Sequence, residues 1–192
     1  MEPDVTKQTY SVDKDAFSSG QVGSKIWLCE EIEKLFSSID LVWVYGGWHG
    51  IAGFLLLSRN NVHIGKIKSF DLDPGCEPIA DMVNENWVIK DWQFKAVTED
   101  CNNIKFEDSC PDLIINTSTE HFTSRDWWNN IPEGTVVALQ GNNMPHDDHH
   151  VHTGSLDEFV AQYPLSELLY SGEREFVYPT WSFTRFMVIG HK

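Results

Sequence analysis

The run from Leu41 to Pro74, LVWVYGGWHGIAGFLLLSRNNVHIGKIKSFDLDP, constrains the fold more than any other part of the chain. It opens on an apolar segment, Leu41 to Tyr45, short enough for a buried strand and followed at once by glycines. Gly46, Gly47, Gly50 and Gly53 lead into a second apolar segment, Ile51 to Leu57, suited to a helix packed on a sheet. Ile67 to Leu72 predicts another strand, with Asp71 and Asp73 at its end. Strand, glycine turn, helix, strand and acid, in that order, are the layout of a nucleotide-binding βαβ unit. Glycines let the backbone turn sharply and approach a ligand, the helix N-terminus offers unpaired N–H groups, and the carboxylate can accept from ribose hydroxyls.

A length of 192 residues with 41% hydrophobic and 12% aromatic side chains predicts one folded domain spanning 1–192, with residues 1–17 as a polar, mobile arm. No apolar stretch is long enough to cross a bilayer, and the first residues are polar and acidic, which predicts a soluble, cytoplasmic protein. Fourteen basic against 29 acidic side chains give a formal charge of −15, which repels phosphate backbones and disfavours a nucleic-acid partner. Cys29, Cys76, Cys101 and Cys110 make no CxxC pair and read as free thiols.

Before the glycine turn, Ser24 is placed to cap a helix whose apolar stripe is Leu28, Ile32, Leu35 and Phe36. After it, Pro78 to Trp87 predicts a helix with Ile79, Met82, Val83 and Asn86 on one side, and Trp92 to Val97 a strand running into Thr98, Glu99 and Asp100. Pro111 to Asn116 and Gly134 to Gln140 are two further buried-type strands. Each ends in a polar cluster, Asn116 to His121 in one case and Gly141 to Asn143 in the other. Ligands in open α/β sheets bind outside the carboxyl ends of strands, so the chemistry is sought in those clusters. Ser155 and Glu158 form a capping box for a last helix carrying Leu156, Phe159, Val160 and Tyr163, which Pro164 ends. Leu168 to Val177 and Ser182 to Gly190 alternate like an edge hairpin. The loop HDDHHVH, His146 to His152, is dense in metal-ligand types, but a loop without a fixed scaffold makes a poor site, and a metal-free protein is expected.

The glycine turn and SFDLDPGCEPIADMVNEN resemble the first two motifs of class I S-adenosylmethionine-dependent methyltransferases. Two positions depart from the first motif: Trp48 stands at its middle glycine and Val44 at its acid. The resemblance implies a Rossmann-like, doubly wound α/β fold, with a mostly parallel seven-stranded sheet and an antiparallel C-terminal hairpin. It implies S-adenosyl-L-methionine as cofactor, held by Gly46, Gly47, Trp48 and Gly50 at the turn and by Asp71, with Asp73 beside it, at the ribose. Gln21, Ser24 and Lys25 fall at the methionine end and Asp100 at the adenine. The acceptor then lies over the fourth strand's end, where Glu120 or His121 takes its proton and Asn116, Asn142 and Asn143 hold it by hydrogen bonds. More narrowly, FSSGQVGSKIWL, GGWHG, INTSTEH and TRFMVIG resemble small methyltransferase-like proteins often encoded by tailed bacteriophages, which would place the chain in a host cytoplasm.

A small-molecule or peptide-like acceptor fits the acidic chain, and an indole beside the turn suits a cationic ligand. Two other classes share the pattern. One is a non-catalytic adenosyl-binding or regulatory module, which the altered first motif favours. The other is an NAD-type oxidoreductase, against which the absence of GxGxxG counts.

Overall fold

A computed structural model of the chain describes residues 11–88, 92–106 and 109–192. Seven strands, β1 (Ser38–Tyr45), β2 (His63–Asp71), β3 (Phe94–Thr98), β4 (Leu113–Asn116), β5 (Val136–Asn142), β6 (Glu167–Val177) and β7 (Ser182–His191), form one sheet in the order β3-β2-β1-β4-β5-β7-β6. The first five are parallel to one another, and β7 inserts antiparallel between β5 and β6. This is the expected sheet with its terminal hairpin.

Strand β1 shows why its run reads as continuously apolar. Val42 and Val44 enter one core with Trp27, Leu28 and Ile32 of helix α1 (Ser19–Leu35) and Leu56 of α2 (Ile51–Arg59). The alternate residues Trp43 and Tyr45 enter a second core on the opposite face. There they join Trp127 and Trp128 of α5 (Asp126–Asn129) and Phe159 of α6 (Leu156–Gln162). Side chains alternate across a strand, so a strand covered on both faces must be apolar at every position.

Two helices differ from their sequence readings. Helix α1 begins five residues before the expected cap: Ser18 Oγ accepts from Gln21 N, and Ser24 is a fully buried interior residue. Both serines suit a cap, and the longer helix buries Trp27, while Leu35 is left exposed at 36%. The segment expected as one helix over Pro78 to Trp87 is two, α3 (Cys76–Val83) and α4 (Glu85–Val88). Asn84 interrupts them because its buried amide donates to Gly50 O at 3.1 Å and Ala80 O at 2.9 Å, tying the break to the start of α2. Ile79 and Ala80 are buried there, whereas Met82 is 57% exposed. At α6 Ser155 Oγ accepts from Glu158 N, as expected, while the glutamate reaches Gly154 N.

The sheet order reverses between β1 and β4, so the chain leaves these two strands toward opposite helix layers. A crevice opens at their carboxyl ends.

Candidate active site

The turn after β1 is built on alternating left-handed residues: Gly46 at φ 61°, Trp48 at φ 47° and Gly50 at φ 72°. Its middle member is a tryptophan, in a conformation that costs a side-chain-bearing residue about 1–2 kcal/mol. The Asp71 carboxylate at the end of β2 closes the turn, Oδ2 accepting from Trp48 N at 2.8 Å and Oδ1 from Asp73 N at 3.0 Å. His49 stacks on Trp48, ring centroids 5.0 Å apart, and its Nε2 accepts from Asp13 N at 3.0 Å. Asp13 of the expected arm is thus tied to the turn, while residues 1–10 fall outside those described.

A cavity of about 610 Å³ opens beside this turn. Gln21 and Lys25 line it from α1, Gly46, Gly47 and Trp48 from the turn, Asp71 from β2, Asp100 from beyond β3, and Glu120 and His121 from beyond β4. Six expected contacts, Ser24, Gly50, Asp73, Asn116, Asn142 and Asn143, are absent from its wall. Gly50 caps α2 and faces Asn84 and Phe94. Asp73 accepts from Gly75 N and thereby caps its own loop. Asn116 is fully buried under the cavity floor, its Oδ1 held by Ser118 N at 3.0 Å. Asn143 pairs with the backbone of Thr184 in β7, and Ser24 Oγ donates to Gln21 O. Neither lines the cavity.

The far end holds residues that sequence reasoning passed over. Arg185 of β7 lies opposite Asn142 in the antiparallel pairing, is 4% exposed, and donates to Thr117 O at 3.0 Å while its Nε has no partner among the described residues. Lys25 donates to Gln21 Oε1 at 2.7 Å. Burial, reinforced by Arg185, pushes its pKa down to about 7. Glu120 is 3% exposed and accepts from Asn142 Nδ2. Burial raises its carboxyl above the usual carboxylate range, against the downward pull of Arg185.

The histidine-rich loop does not lack a scaffold, which removes the reason for setting it aside. His150 N and Val151 N both donate to Glu120 O, at 2.7 and 3.1 Å, and Gln162 Nε2 donates to His152 O at 3.0 Å. This anchoring turns His149 inward until it is 6% exposed and edge-on to His121, ring centroids 4.7 Å apart.

No protein-family model matches this sequence, and no curated protein sequence matches it either. Solved structures do match. N-methyltransferase NodS from Bradyrhizobium japonicum WM9, in complex with S-adenosyl-L-homocysteine, superposes with a TM-score of 0.67 at 10% identity, over 88% of this chain and 87% of NodS. The YcgJ protein from Bacillus subtilis gives 0.66 at 13% identity, over 88% of this chain and 98% of its own. Magnesium protoporphyrin IX methyltransferase (ChlM) from Synechocystis PCC 6803, with bound SAM, gives 0.60 at 10% identity, over 90% and 79%. The chain has the class I methyltransferase fold. Within that fold the cavity sits at the reversal of strand order, the position where open α/β sheets take their ligands.

Proposed function

We propose that the chain binds S-adenosyl-L-methionine and transfers its methyl group to a small-molecule or peptide-like acceptor. The observation that carries this reading is the single cavity joining α1, the glycine turn, Asp71, Asp100 and the Glu120–His121 segment. Laid along it, the methionine end of the cofactor meets Gln21 and Lys25, the ribose Asp71 and the adenine the Asp100 side. The sulfonium carbon is then directed at the end of β4. The sulfonium already activates that carbon, so the protein has only to align a nucleophile in line and remove its proton. Glu120 and His121 stand where that proton leaves, and Asn142 holds Glu120 in place. Acidic residues Asp13, Asp15, Asp71 and Asp148 around the cavity suit a cationic ligand.

Calorimetric titration with S-adenosyl-L-methionine, S-adenosyl-L-homocysteine and NAD tests the reading. Binding of both adenosyl compounds and not of NAD is expected. Binding of NAD alone would replace it with the oxidoreductase reading. The strained Trp48 favours a second reading, a module that binds the adenosyl ligand without turnover, since an indole stands where the motif has a glycine. Slow self-hydrolysis of bound cofactor with no acceptor across a metabolite panel is the result that favours it.

A further inference from the structure

Glu120, His121 and His149 each bring one ligand-type atom to a common point, all within 4.8 Å of one another. His149 Nδ1 lies 2.9 Å from the Met144 carbonyl oxygen and His121 Nδ1 lies 3.2 Å from that of Asp148. A carbonyl can only accept, so each ring carries its proton on Nδ1 and leaves Nε2 with a free lone pair. That is the tautomer of a metal-bound imidazole, whose other nitrogen commonly donates to a backbone carbonyl. Glu120 adds an independent sign. It is 3% exposed, Asn142 satisfies its Oε1, and its Oε2 has no hydrogen-bond partner among the described residues. A buried carboxylate oxygen without a donor, beside two imidazole lone pairs, lacks a direct partner that a bound cation would supply, although Arg185 and Lys25 act on it from farther off.

We propose that Glu120, His121 and His149 bind one divalent first-row transition ion, and that its remaining coordination positions face the cavity and take a hydroxyl oxygen of the methyl acceptor. Two nitrogens and a carboxylate suit zinc, manganese, iron or cobalt better than magnesium or calcium, which prefer all-oxygen shells. Three protein ligands leave a vacant position, the pattern of catalytic sites. Ligands about 2.1 Å from one tetrahedral ion lie about 3.4 Å apart, so atoms within 4.8 Å of one another have to close by up to about 1.4 Å, which side-chain rotation, above all of the exposed His121, can supply. The supporting groups form a closed circuit. Asn142 orients Glu120 and accepts from Met144 N at 2.9 Å, Met144 orients His149, and Glu120 O anchors the loop that carries His149. Lys25 and Arg185 oppose added positive charge at Glu120.

The inference rests on the methyl-transfer reading for its chemistry. With the ion bound, Glu120 and His121 serve as its ligands in place of the base role they have in its absence: the ion-bound hydroxyl gives its proton to solvent, an oxygen lone pair forms the O–CH3 bond, and the C–S bonding pair returns to sulfur. The sulfonium becomes a neutral thioether and one proton is released per turnover.

Chelator-stripped protein is titrated with cobalt(II) by visible absorption and with zinc and manganese by calorimetry, and S-adenosyl-L-methionine binding is measured separately on the same sample. One equivalent of ion is expected, weakened on the order of 100-fold or more by Glu120→Gln and by His149→Ala, and unchanged by His150→Ala. His121→Ala, at an exposed position, serves as the ligand variant if either buried substitution fails to fold. No binding of any of the three ions at millimolar concentration overturns the site. So does binding that survives loss of the ligands, or that His150→Ala abolishes. If the ion binds and the cofactor does not, the functional reading falls and the metal site stands; if only the cofactor binds, the metal site falls alone.

Discussion

The backbone N–H of Trp48 donates to Asp71 Oδ2 at 2.8 Å, so the acid at the end of β2 holds together the turn that follows β1. Asp71 therefore has two tasks, shaping the turn and meeting the ribose, and two substitutions separate them. Asp71→Ala removes both and should weaken cofactor binding by about 1.5 kcal/mol or more, roughly tenfold. Asp71→Asn keeps an acceptor for Trp48 N but turns its amide toward Asp73 N and loses the charge, so the melting temperature should fall less than in Asp71→Ala while affinity still falls. Wild-type affinity in folded Asp71→Asn would place the ribose elsewhere.

Gly47 makes room for a neighbouring strand. A Cβ built on it would stand 1.9 Å from Ser69 Oγ and 3.2 Å from Ser69 Cβ. Gly47→Ala should cost on the order of 2 kcal/mol in urea unfolding, and adding Ser69→Ala should recover most of it. Independent, additive losses in the double variant would mean that the hydroxyl is not what excludes a side chain.

The arm is fastened by a neutral imidazole. His49 Nε2 accepts from Asp13 N, and burial lowers the His49 pKa below 6.5 despite the opposing pull of Asp13, Asp71 and Asp73. The folded state thus resists a proton that the unfolded chain accepts. Its stability is complete above about pH 6.5 and is lost as pH falls from there through the folded pKa. His49→Gln can still accept from Asp13 N and does not titrate. Urea midpoints at about pH 7.5 and about pH 5 should differ less in this variant than in wild type. Equal acid losses in both proteins would remove His49 as the titrating group.

Chemistry at the end of β4 should separate from binding. With an acceptor in hand, Glu120→Gln and His121→Asn should each lower turnover on the order of 100-fold while leaving cofactor affinity nearly intact. Single-turnover rates with saturating cofactor measure this directly, and wild-type rates in both variants would move the proton transfer to another group.

Local patterns made much of this fold legible, because its strands are short apolar runs and its turns are glycine-rich. Asp71, Glu120 and His121 could be named from their places just beyond strands, since strand ends converge on the crevice whatever the loops do. Arg185 could not. Only the register that sets Asn142 against Arg185 brings it to the cavity, and register between distant strands leaves no local trace. His149 was hidden for a different reason. The loop offers four histidines, and the choice among them is made by two backbone hydrogen bonds to Glu120 O, which no residue type announces. Ser18 and Ser24 are equally good caps as letters, and the burial of Trp27 and Ser24 decides between them.

Among the described residues Trp48 is the only one of the chain's eight tryptophans on the wall of this cavity. The left-handed turn that holds its backbone also fixes its indole between His49 and the open space a ligand would fill. One chromophore out of eight thus stands in the path of any occupant, and the others are set in packed cores or on other surfaces. The molecule carries its own optical probe at the place where occupancy would first be felt, readable by emission intensity and wavelength without a label.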